Sequence, residues 1–214
     1  MNASSRRAYR MGLRGEQVRE AGERILATVR RDFLGRYLDE VTLDEVAAAT
    51  GVTVQTLLRR YGSKEGLFTA AAELLHHDFL DHRTRVEPGD VDLAVRMIVR
   101  GYERNGDSVM RGLHQEERVP AIRAVVENGR RHHHAWVTRI FAPWLEPRAP
   151  RERARLHAQL VAILDVYTWK LLRRDLGLSA TETEAALREL VQGVLPPAPR
   201  RRARAAASRK ETAS

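Results

Sequence analysis

Gln55 and Arg59 stand four residues apart, with Thr53, Thr56 and Arg60 around them. These side chains are suited to reading nucleic acid. Arg and Gln can make two-pronged hydrogen bonds to base edges, and Thr can bond a phosphate or touch a thymine methyl. A four-residue spacing puts Gln55 and Arg59 on one face of a helix. Thr42 upstream and Lys64 downstream each sit at a helix start, where free backbone N–H groups and the positive end of the helix dipole attract phosphate. Bond-making chemistry has no comparable signature. The chain has no phosphate-cradling Gly-rich loop, no His-Glu-x-x-His pair, no Gly-x-Ser-x-Gly elbow and no calcium loop. Neither a catalytic residue nor a metal nor a cofactor is expected, and the chain is not expected to be an enzyme. His77/Asp81 and Asp78/His82 have the i, i+4 spacing of metal ligands but lack a third partner. The three histidines of RHHHAW (residues 131–136) point about 100° apart on a helix and cannot share one ion well.

The elements that would hold Gln55 and Arg59 lie in VAAATGVTVQTLLRRYGSKEGLF, residues 46–68. A helical pattern is interrupted by Thr-Gly-Val, restarts, and breaks again at Tyr-Gly-Ser. Helices this short are marginal alone in water, so packing must hold them, and their outer faces are left for other work. Thr42 and Glu45 make a capping box, and Val41 with Val46 a hydrophobic staple. Gly51 suits a left-handed turn position. Thr53 caps the next helix and Ser63 the one after. Val46, Ala47, Val52 and Leu57 pack inward; Thr53, Gln55, Thr56, Arg59 and Arg60 face out. Two short helices joined by a Gly-containing turn make a helix-turn-helix, whose second helix enters the major groove.

Strand signals are absent and helical spacing is general, so the fold class is all-α, with about nine helices. Their expected extents are 17–38, 42–50, 54–60, 64–85, 91–104, 107–117, 120–141, 151–175 and 179–194. The expected organisation is a basic flexible N-terminal arm (1–16), a helix-turn-helix domain (17–70), a larger helical ligand-binding and dimerisation domain (71–195), and a disordered basic tail (196–214). The net charge is +9 and the tail alone holds six Lys+Arg against one acidic residue, which suggests a polyanion partner or, equally, Arg-rich coding bias. Arg6, Arg7, Arg10 and Arg14 of the arm either reach a minor groove or are solvated. With no cysteine there is no disulfide framework and no thiolate site. No apolar run approaches the roughly 18 residues of a membrane span, and the N-terminus lacks a signal-peptide core. A cytoplasmic location without membrane contact is expected.

Residues 25–68, ILATVRRDFLGRYLDEVTLDEVAAATGVTVQTLLRRYGSKEGLF, resemble the TetR family of transcriptional regulators. Thr42, Val46-Ala47, Gly51-Val52, Thr56-Leu57, Tyr61, Ser63-Lys64-Glu65 and Leu67 carry the likeness. The resemblance implies a homodimer that binds double-stranded DNA at a palindromic operator and is joined through its last two helices. It further implies a ligand-responsive repressor, in which a small-molecule effector, here unknown, changes the separation of two reading heads. Carried over by position, the DNA contacts are Thr42, Thr53, Val54, Gln55, Thr56, Arg59, Arg60, Tyr61 and Lys64. The chain also departs from the family. Leu58 stands where the family usually has a phosphate-gripping Tyr. Val54 replaces a common Lys, Gln55 a common Gly and Gly62 a common Pro. Two lost backbone contacts imply weaker binding, which Arg59 and Arg60 partly offset. The alternative is a helical small-molecule-binding protein with a weak, nonspecific DNA-binding head.

In the C-terminal half, His133 falls on the apolar stripe with Gly129, Trp136 and Val137, where it bonds either a ligand or a backbone carbonyl. Residues 160–172 are apolar on nearly every side, as in a helix with one face on the core and another on a partner subunit. Asp165 inside this run meets an Arg across a dimer, faces a ligand or reaches solvent. Tyr102, Trp136, Tyr167 and Trp169 either fill the core or surround a cavity for a small apolar ligand. The candidate effector site is therefore Tyr102, His133, Trp136, Asp165 and Trp169.

Overall fold

The computed structural model describes the backbone of residues 3–196 and the side chains of residues 16, 19–74 and 85–196. The arm arginines and the His77/Asp81 and Asp78/His82 pairs lie outside the described side chains, and the tail from residue 197 lies outside the described residues. Every regular element among the described residues is helical: α1 (Ala3–Asp32), a 3-10 turn (Leu38–Glu40), α2 (Leu43–Thr50), α3 (Val54–Tyr61), α4 (Lys64–Thr84), α5 (Val91–Gln115), α6 (Pro120–Ile140), α7 (Ala142–Leu145), α8 (Pro150–Ile163), α9 (Val166–Lys170), a π-helical turn (Leu171–Asp175) and α10 (Ala180–Val194).

Two apolar clusters organise them. The first, the head, gathers Ile25 and Val29 of α1 and Phe33 just after it with Leu38, Val41, Val46, Leu57, Leu67 and Phe68. The three recur every fourth position, and the Phe33 N–H still bonds the Val29 carbonyl, so they form one stripe. The second, the body, is built around α5, with Val95, Ile98 and Tyr102 facing Val137, Ile140, Leu160, Leu164, Trp169 and Leu187. α4 runs from the head onto α5 and α6.

The elements differ from expectation in four places. α1 begins at Ala3, not near residue 17, so the segment read as an arm continues the helix; it ends at Asp32, and the 3-10 turn follows. Residues 91–115 form one helix where two were expected. Gly106, which falls between the two expected helices, lies inside α5 where the Trp169 ring presses so closely that a Cβ would overlap it. The glycine serves close approach there, and packing outweighs its poor helix propensity of roughly 1 kcal/mol. A short α7, with Pro143 in its first turn, follows α6 where no helix was expected. The helix expected over 151–175 is interrupted at Asp165, whose carboxylate accepts a hydrogen bond from the Tyr167 N–H at 3.0 Å and so caps a new start. A short side chain that bonds nearby backbone competes with the helix ladder.

Candidate nucleic-acid interface

α2 and α3 are eight residues each, and local hydrogen bonds fix both ends of the motif. The Thr42 hydroxyl accepts from the Glu45 N–H at 3.2 Å, and the Glu45 carboxylate accepts from the Thr42 N–H at 2.8 Å. That N–H, then the Thr42 hydroxyl and more weakly Arg36, hold the Glu45 carboxyl below the usual carboxylate range. Val41 and Val46, the staple pair, are fully buried. Gly51 takes a φ of 69° at the turn, a conformation other residues adopt only at a cost. Thr53 then caps α3, accepting from the Thr56 N–H at 3.1 Å, and the two hydroxyls lie 2.9 Å apart.

One side of α3 is anchored by Leu57, which is 1% exposed. The opposite side presents Gln55, Leu58 and Arg59, all exposed. They follow an i, i+3, i+4 pattern and so share a face. Gln55 and Arg59 therefore stand together in solvent, as their spacing implies. Thr42 and Thr53 are exposed at the starts of α2 and α3, with their hydroxyls engaged in capping, and Thr56 is half-buried beside Thr53.

The remaining candidates have partners within the head. Val54 is half-buried against the head core. The Tyr61 hydroxyl donates to the Gly22 carbonyl at 3.3 Å, and burial raises the phenol above its ordinary range. Arg60 is exposed, as expected, and its guanidinium lies back over α1, in the space a Cβ would need on Gly22. It also lies 5.8 Å from the centre of the Tyr61 ring. Lys64 donates from Nζ to the carbonyls of Leu38 at 2.7 Å and Val41 at 2.9 Å. These carbonyls, at the 3-10 turn and just after it, compete with phosphate for the ammonium group. For Tyr61, Arg60 and Lys64 the physical reason is the same: α1 and the 3-10 turn lie within reach, a fact of tertiary packing that helical spacing does not encode.

Sequence reasoning missed the joint between head and body. Gln115, at the end of α5, accepts from the buried Leu38 N–H at 2.7 Å and donates to the Arg111 carbonyl at 3.1 Å. Arg111 donates from Nε to the Gly35 carbonyl at 3.2 Å and stacks 4.4 Å from the Tyr37 ring centre. These partners are 76 and 77 residues apart, and nothing local marks them.

Behind the joint lies a cavity of about 210 Å³, walled by the head as well as the body. Leu34, Phe68 and Thr69 line it from the head, with Tyr102, His133 and Asp165 opposite. Arg130 reaches its wall while held in a two-pronged pair with Glu116, both bonds at 2.6 Å; that pair raises the guanidinium further above its usual value. The Tyr102 hydroxyl donates to the Leu164 carbonyl at 3.2 Å, and His133 Nε2 lies 3.3 Å from the Val161 carbonyl oxygen. Trp136 and Trp169 do not line this cavity. Trp136 stacks on His133 from the core side, and the Trp169 indole donates to Glu103 at 2.8 Å. Large rings on apolar stripes go to the core first, which is why those two miss the cavity.

Comparison with known proteins agrees with this geometry. Residues 25–71 match the model of the bacterial regulatory proteins of the tetR family. The fold is shared with a transcriptional regulator from Rhodococcus sp. Rha1, at 16% identity and a TM-score of 0.65 over 81% of this chain and 95% of that one. It is also shared with a transcriptional regulator from Aquifex aeolicus VF5, at 16% identity and a TM-score of 0.62 over 82% and 99%. No curated protein matches the sequence significantly.

Proposed function

We propose that this chain, which by residues 25–71 belongs to the TetR family of DNA-binding transcriptional regulators, acts as a ligand-responsive repressor. It binds a palindromic operator as a homodimer joined through the last helices of the body. The observation that carries the reading is the outer face of α3, where Gln55 and Arg59 are exposed side by side while Leu57 locks the opposite face into the head. Arg59 suits a guanine edge and Gln55 an adenine edge. Thr42, Thr53 and Thr56 supply hydroxyls beside phosphates. Lys64, Arg60, Tyr61 and Val54 act first by holding the head together.

The cavity supports the ligand-responsive part. Because head and body share its walls, an occupant differing in affinity between two head positions shifts their populations. Its apolar walls suit a small, largely apolar effector, with Tyr102, His133 and Asp165 as polar partners. Leu171, Leu176 and Leu190 are exposed near the end of the body, at 50%, 64% and 46%, and support a subunit contact there.

A second reading, a small-molecule-binding protein with a weak, nonspecific head, is favoured by Lys64 being engaged within the head. Titrating the protein at two salt concentrations separates the readings. One DNA is the promoter upstream of its own coding region; the other is a shuffled fragment of equal composition. Repression at a specific operator predicts a preference of about tenfold or more for a cognate fragment, surviving added salt. The second reading predicts equal binding to both that collapses with salt.

A further inference from the structure

We propose that Leu58 is a base-reading residue specific for the C5-methyl group of thymine. The inference rests on α3 being the recognition helix and adds a contact to it. Leu58 is 40% exposed, and among the described residues of the head it is the one exposed large apolar side chain. A single exposed leucine carries no message by itself; its position does. It lies three residues after Gln55 and next to Arg59, on the face of α3 that points away from Leu57 and the head core.

When that face enters a major groove, Leu58 goes in with its two polar neighbours. The side chain has no donor or acceptor, so it cannot satisfy a phosphate, a guanine or adenine edge, or the amino group of cytosine. Set against any of these it would strip water from a polar group and return nothing. The major groove offers one apolar feature, the thymine methyl. The chemistry of the site therefore assigns Leu58 to a thymine close to the bases read by Gln55 and Arg59. In this head an apolar group reads one base while charged and amide groups read its neighbours.

The test starts with the full-length protein and a preferred sequence selected from a random double-stranded library. Each thymine is then replaced singly by uracil, which removes the methyl and keeps the pairing. The wild type is expected to lose about fourfold in affinity at one thymine of a half-site, the change that burying one methyl-sized group corresponds to. The Leu58→Ala protein is expected not to distinguish thymine from uracil there. Uracil penalties that are the same in both proteins, or a wild type indifferent to every replacement, would overturn the assignment while leaving the recognition helix in place. A selection yielding no preferred sequence, or Arg59→Ala binding like wild type, would overturn the assignment together with the reading beneath it. The uracil arm leaves the protein unaltered, so a folding defect in the variant cannot imitate the expected result.

Discussion

In the head, α2 and α3 are held at their starts by side chains three residues away: Thr42 with Glu45, and Thr53 with Thr56. In the body, the interrupted stretch from Leu164 to Asp175 is tied to α5 across the chain. Tyr102 reaches the Leu164 carbonyl, and Glu103 accepts from Trp169 and pairs with Arg173 at 3.0 Å, over separations of 62, 66 and 70 residues. The contrast matches the two tasks. A reading head must present α3 in one orientation, and local caps plus one buried leucine do that with few parts. The body, proposed to hold a ligand, breaks a helix at Asp165 beside the cavity and fastens the fragments from a distance.

The largest expected effects test whether the two cores bear load as described. Trp169→Ala removes a fully buried ring and should cost about 3–5 kcal/mol; Leu57→Ala should cost about 2–5 kcal/mol in the head. Chemical denaturation measures both, and Leu57→Ala should also abolish specific DNA binding. If Leu57→Ala bound DNA normally, α3 would not depend on the head core as argued. Next is the joint. Gln115→Leu leaves the buried Leu38 N–H without its acceptor and should cost about 1–3 kcal/mol. Amide exchange at Leu38 should accelerate with it; unchanged exchange would place the joint elsewhere.

Much of the head was legible because its rules are local. The capping box, the staple, the Gly51 turn and the Gln55/Arg59 face all lie within five residues of their partners. The contacts Arg60 and Lys64 make within the head were not legible because their partners, Gly22 on α1 and the carbonyls of Leu38 and Val41, come from outside the motif. The body was less legible for the same reason at larger scale. The continuity of α5 through Gly106 was not legible because the ring that presses on it arrives from residue 169. Tyr102, His133 and Asp165 fell on the cavity wall and Trp136 and Trp169 did not, a division that one-dimensional apolar periodicity cannot make.

Smaller effects sharpen the local half of the comparison. Thr42→Ala and Thr53→Ala each remove an N-cap and should cost about 1 kcal/mol, read as shifts in thermal unfolding. Equal stability with either alanine would mean that the caps are incidental. The smallest effect is on pH. The folded-state value of Glu45 is lowered, so its contribution to stability is present above the ordinary carboxylate range and is lost as pH falls through the lowered value. Glu45→Gln should flatten that part of the acid profile; an unchanged profile would remove Glu45 from the account.

The central claim is that the exposed face of α3 reads sequence, and the affinity of Arg59→Ala for operator and shuffled DNA tests it most directly. The account predicts a loss of roughly 1–3 kcal/mol on the operator, with binding to shuffled DNA nearly unchanged. An equal loss on both DNAs would make Arg59 a phosphate contact, and no loss on either would place the reading surface elsewhere on the molecule.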